Sequence, residues 1–131
     1  MYTAMVAQAV AEAPLECCGF LAGPPAGGAA IATATARYPL VNAAASGVEY
    51  DADHRSLIDA DTDIRRRGWD VLAIYHSHPT APPVPSRTDL ARAYWSGVVY
   101  LIISLQSAQP EVRGWWLTET DYSEAEWAVI D

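Results

Sequence analysis

Hydrophobic positions along this chain recur with two periods. From Thr3 to Ala13, the residues Met5, Val6, Ala9 and Val10 repeat at helical spacing, and Pro14 stops the pattern. "CCGFLAG" (Cys17–Gly23) predicts a short buried strand, and "GPPAGGAA" a loop by its turn chemistry. "IATATARYPL" alternates and is rich in β-branched residues, which predicts a second strand, and Val48–Tyr50 predicts a further short one. "DADHRSLIDADTDIRRRG" reads as a helix capped by Asp51 or Asp53 and ended by Gly68. Its Arg65, Arg66 and Arg67 fall in the last turn, where cations complement the helix dipole. "WDVLAIYH" and "VVYLIISL" are unbroken apolar runs, as expected of central strands. Between them "SRTDLARAYW" predicts a short third helix. "EVRGWWLT" and "AEWAVI" read as late strands, the last with helix as its alternative.

The order α, β, β, β, α, β, α, β, β, β predicts an α/β fold, a mixed β-sheet with flanking helices. The length of 131 residues fits one domain over residues 1–131. Trp115 and Trp116 are expected to turn rings into the core, while an exposed tryptophan in that strand would suit a partner-binding anchor.

Charge narrows the partners. The net charge is -8, and all eight basic residues are arginine. Such a surface repels phosphate backbones and anionic lipid, which argues against nucleic acid and membrane as partners. It fits a solubility or salt adaptation equally well. No apolar stretch reaches the roughly 18 residues of a membrane span. The N-terminal helix has no basic n-region and is interrupted by Gln8 and Glu12, so it does not read as a signal peptide. Cys17 and Cys18 are neighbours that bridge only with severe strain. A reducing, cytoplasmic location is the expectation.

The chemistry concentrates at "HSHPTAPPVPSRTD" (residues 76–89). Residues i and i+2 of a strand share a face, so His76 and His78 project together where the apolar run ends. Paired neutral imidazoles suit Zn²⁺, although His-x-His alone is a common accident. Ser86 and Asp89 have the spacing of a capping box. Four prolines between Pro79 and Pro85 form a stiff connector that can bring this helix start back over the strand end. Two histidines and a carboxylate would leave a fourth zinc position for water. Without further signals, Asp89 reads equally as a dipole-favoured first-turn residue and Ser86 as an ordinary cap. Glu16 is a candidate acid/base, bordering the core between a helix stop and an apolar strand. An exposed loop glutamate is its simpler reading, and Glu12, Glu49, Asp51 and Asp53 are rivals.

Glu16, then "HSHP" (His76–Pro79), then "PSRTD" (Pro85–Asp89) resembles the JAMM, or MPN+, metallopeptidase family, in its compact prokaryotic branch. The resemblance implies that His76, His78 and Asp89 ligate zinc, that Glu16 is the acid/base, and that Ser86 donates a hydrogen bond to the oxyanion. It implies a peptidase or isopeptidase that acts at the C-terminal tail of a ubiquitin-like sulfur-carrier protein, or on a peptide adduct of that tail. The tail is expected to lie extended, with sheet-edge pairing as one mode. Two other classes stand beside this one: a non-catalytic interaction module of the same fold, and a thiol enzyme using Cys17 or Cys18. Core packing is the simpler role for both cysteines, and a surface or helix-capping role for His54. The His-x-Glu and Pro-Cys-x-x-Cys signature of zinc deaminases is absent.

Overall fold

The computed structural model describes residues 1–27 and 31–130. Its elements are α1 (Tyr2–Glu12), β1 (Cys18–Gly23), β2 (Ala36–Leu40), α2 (His54–Arg66), β3 (Asp70–His78), α3 (Arg87–Ala91), β4 (Val99–Ser104), β5 (Glu111–Leu117) and β6 (Tyr122–Glu124). The strands form one mixed sheet in the order β2-β1-β3-β4-β5-β6. Only β3 and β4 run parallel, and the crossover between them carries α3. The expected α/β architecture is the one found.

Alternation along the central strands builds two cores, one on each face. Cys18, Phe20, Ile74 and Tyr100 point to one side and pack with Ala60 and Ile64 of α2. Cys17, Leu21, Ala73, Tyr75, Leu101 and Ile103 point to the other and pack with Met5 and Ala9 of α1. A helix therefore covers each face. The buried helix positions lie four apart in both cases, which is the spacing of a single apolar stripe.

The caps agree with the sequence. Asp53 caps α2 by accepting from the Ser56 amide, and Gly68 follows the helix with a positive φ of 69°. Arg65 pairs with Asp61, and Arg66 and Arg67 both pair with Asp63. The basic triplet is thus spent on its own helix.

Four expectations need correction. Val48–Tyr50 is not a strand; the chain there touches sheet geometry only at an isolated bridge between Asn42 and Ala52. The Asn42 side chain accepts from the Ala44 and Asp51 amides and folds the segment into a loop instead. The strand expected over 31–40 begins only at Ala36, because β1 ends at Gly23 and runs out as a partner beyond Thr35, whose amide still donates to the Ala22 carbonyl. The expected loop over 23–30 lies partly outside the described residues. The last strand falls at Tyr122–Glu124, not at 125–130. Ala125 still bonds to the Gly114 carbonyl, after which the chain leaves the ladder and the Trp127 ring packs against Gly114 and stacks on Tyr2. Adjacent strand residues face opposite ways, so Trp115 is buried while Trp116 is 46% exposed, against the expectation that both turn inward.

One close approach is sequence-specific. The Tyr75 ring lies flat across Gly19, where a Cβ would sit 2.2 Å from the ring. Tyr75 is fully buried and its hydroxyl is held by Gln8 and Arg37, so it cannot swing aside. Gly19→Ala is expected to destabilise the fold by about 2–3 kcal/mol or more through overpacking. Chemical denaturation of the variant against wild type measures it.

Candidate metal centre

The histidines sit on the last turn of pleat in β3, on the α2 face. Both are buried, as are Asp89 and Glu16. Strand register aligns Cys18 of β1 and Ile102 of β4 with His76. Above that row the ladder continues through Ser77, whose amide donates to the Cys17 carbonyl and whose Oγ accepts from the Cys17 amide. Alternation places Cys17 on the face opposite Cys18, and Glu16, just before the ladder, lies close enough to His78 and Asp89 to feel their charges.

Asp89 reaches the strand end because the proline-rich connector is tied down carbonyl by carbonyl. The Ala81 carbonyl accepts from Ser104 Oγ at 2.6 Å, Pro82 from His78 Nδ1 at 2.8 Å, and Pro83 from Trp115 Nε1 at 2.9 Å. α3 starts from this anchored segment with a full capping box. Ser86 Oγ accepts from the Asp89 amide at 3.1 Å, and the Ser86 amide donates to Asp89 Oδ2 at 2.9 Å.

Three potential ligand atoms converge. His76 Nε2 lies 3.2 Å from His78 Nε2 and 3.2 Å from Asp89 Oδ1, and His78 Nε2 lies 3.0 Å from Asp89 Oδ2. A carbonyl only accepts, so His78 Nδ1 carries the proton donated to Pro82. That tautomer leaves the Nε2 lone pair for the centre. His76, His78 and Asp89 are the group of metal-ligating side chains that stands out among the described residues. Tyr50 closes one side by stacking on His76, with ring centroids 4.7 Å apart.

The electrostatics match the crowding. Burial opposes ionisation of Asp89, yet the charge and hydrogen bonds of His76, joined by His78 and the Ser86 amide, hold its carboxyl well below the usual carboxylate range. Burial pulls His78 down, but bonds to Asp89 and Pro82 outweigh it and leave the imidazole raised. Glu16 is pushed up to about 7, chiefly by burial; His78 opposes the shift, and Asp89 and Glu49 add to it. Among the described residues its Oε1 has no hydrogen-bond partner, and neither does His76 Nδ1. Burial also pushes the thiols up, Cys17 to about 11 and Cys18 to about 12, the reverse of an activated thiolate.

All five residues singled out in the sequence therefore meet at one end of the sheet: three with converging ligand atoms, Ser86 at the helix start beside them, Glu16 close enough to feel the charges of His78 and Asp89. Glu12 bonds Gln8, Glu49 pairs with Arg92, Asp53 caps α2, and Asp51 and His54 line a cavity of about 600 Å³ beyond Tyr50. Sequence reading missed Tyr50, whose only signal was the strand-like run Val48–Tyr50 that would have hidden it, and Asn42, which lies in no predicted element.

The likenesses to known proteins agree. Residues 1–118 match the family described as prokaryotic homologs of the JAB domain. A desampylase of Haloferax volcanii is 42% identical over 97 residues, 73% of this chain and 67% of that one. A CysO-cysteine peptidase of Mycobacterium tuberculosis is 29% identical over 139 aligned positions, 100% of this chain and 88% of that one. The solution structure of a protein from Desulfitobacterium hafniense superposes with a TM-score of 0.81 at 32% identity, covering 95% of this chain and 85% of that one. The family match runs from α1 past the end of β5 and takes in every residue of the centre, so the chain belongs to the prokaryotic homologs of the JAB domain.

Proposed function

We propose that the protein is a zinc-dependent peptidase or isopeptidase that hydrolyses an amide bond at the C-terminal tail of a ubiquitin-like sulfur-carrier protein. The observation that carries the proposal is the convergence of His76 Nε2, His78 Nε2 and the Asp89 carboxylate at 3.0–3.2 Å. Tetrahedral zinc with bonds of about 2.0–2.1 Å separates neighbouring ligand atoms by about 3.3 Å, close to the 3.2 Å between the two imidazole nitrogens, and each nitrogen has an Asp89 oxygen within 3.2 Å. The relatives' names support amide cleavage, one being called a CysO-cysteine peptidase.

When bound, zinc supplies Lewis-acid polarisation of the scissile carbonyl and acidifies the attacking water. Glu16 takes a proton as carboxylate and returns it to the leaving nitrogen as acid. A carboxyl whose pKa lies near neutrality serves both directions. Ser86 Oγ accepts the Asp89 amide with one of its two lone pairs, which leaves its own proton free to donate to the oxyanion. Tyr50 and the anchored proline segment hold the imidazoles in place. Pairing of an extended tail with the sheet would use β2 or β6, the strands with one neighbour. No described helix is long and apolar enough to cross a membrane.

Glu16→Gln is expected to keep about one zinc per chain and to lose turnover by about 10²–10⁴-fold. Metal analysis beside a carrier-adduct cleavage assay measures both, and wild-type turnover in the variant would refute the assignment. Ser86→Ala is expected to do two things at once: lower kcat by about 10²–10³-fold and lower stability by about 1 kcal/mol through loss of the cap. The same assay and a denaturation curve separate them.

The raised Glu16 pKa also has a sign for stability. A carboxyl that is harder to ionise folded than unfolded costs stability once pH passes the unfolded value of 4.5, and the cost is complete above about 7. In metal-free protein, Glu16→Gln should therefore raise the melting temperature at pH 8 and leave it unchanged near pH 4.

A further inference from the structure

Glu16 lies outside the strand it precedes. β1 begins at Cys18, and the sheet ladder reaches back only to Cys17 through Ser77. The backbone of Glu16 is instead held by the loop between β2 and α2. Its amide donates to the Ser46 carbonyl at 2.7 Å, and its carbonyl accepts from Asn42 Nδ2 at 3.0 Å.

Asn42 does more than hold that carbonyl. The same Nδ2 donates to the Glu49 carbonyl at 3.2 Å, while Oδ1 accepts from the Ala44 amide at 3.0 Å and the Asp51 amide at 2.9 Å. A side-chain amide offers two donors and two acceptor sites, and all four are used. The loop fastened in this way is the one that carries Ser46 to Glu16 and Tyr50 to His76. Its far side is tied to the end of α3, where Arg92 donates to the Tyr50 carbonyl at 3.0 Å and pairs with Glu49 at 3.5 Å. Glu16 and the ring over His76 therefore share one anchor.

We infer that Asn42 is a positioning residue that sets the place of the Glu16 carboxylate. The inference rests on the acid/base role proposed above for Glu16. The Asn42 side chain spends its hydrogen bonds on backbone groups and on none of the three ligand side chains, so its influence runs through the loop. No other residue type of this size reproduces its pattern. Aspartate keeps the two acceptor bonds but turns a carboxylate oxygen toward two carbonyl oxygens, and alanine removes all four bonds. A misplacement of about 1 Å in a reacting group can cost up to about 10²-fold in rate.

Asn42→Ala and Asn42→Asp, purified with zinc, test this. The expected result is a fall in kcat of about 10–100-fold with KM within about threefold, and zinc affinity by chelator competition within about threefold of wild type. In a Glu16→Gln background, Asn42→Ala should add no further loss to the residual rate, because the group it positions is gone. Thermal melting identifies the folded variants, and Asn42→Asp carries the test if the alanine variant does not fold. A folded variant with kcat within about twofold of wild type would overturn the inference. So would an equal loss in the Glu16→Gln background, which would mark a structural role. If Glu16→Gln itself cleaved at the wild-type rate, the proposed function would fail on its own account.

Discussion

Two imidazole nitrogens and a carboxylate held about 3 Å apart in a dry corner of a protein are a costly arrangement. The nitrogens cannot both donate to each other, and burial removes the water that would screen the carboxylate. In the metal-free state protons relieve the crowding, as the raised His78 and the strongly lowered Asp89 show. A divalent cation would relieve it more fully. Much of the surrounding structure serves to keep the three groups from moving apart.

That restraint comes from both ends. From below, the pleat of β3 sets the two histidines on one face, and β1 and β4 lock its register. From above, three successive carbonyls of the proline-rich connector are each held by a side chain from β3, β4 or β5. Prolines reduce the freedom this segment loses on folding. The capping box then spends the first turn of α3 on aiming a single carboxylate. Ser86 is drawn into the site by the same geometry, since a cap for Asp89 must stand next to it.

The features legible in the sequence were those with local causes. Strand periodicity placed the central strands and the shared face of His76 and His78. Capping chemistry placed Gly68, Ser86 and Asp89, and narrowed the cap of α2 to Asp51 or Asp53. The rest depends on contacts distant in sequence. Nothing local says that Asn42 will gather Ala44, Asp51 and Glu16, so Val48–Tyr50 reads as a strand although it forms the wall of the site. Trp127 stacks on Tyr2 at the other end of the chain, which no period could reveal. Glu16 is the intermediate case. Its position before an apolar strand was visible, but its burial depends on the loop that covers it.

Zinc held by these three side chains, and not by the cysteines beside them, would have a distinctive coordination sphere. X-ray absorption on the zinc-loaded protein tests for it most directly. The expected result is a coordination shell of nitrogen and oxygen at about 2.0–2.1 Å with the multiple-scattering pattern of two imidazoles, lost on His76→Ala. A sulfur shell at about 2.3 Å, which would place Cys17 or Cys18 on the metal, would contradict it, as would a shell of oxygen alone.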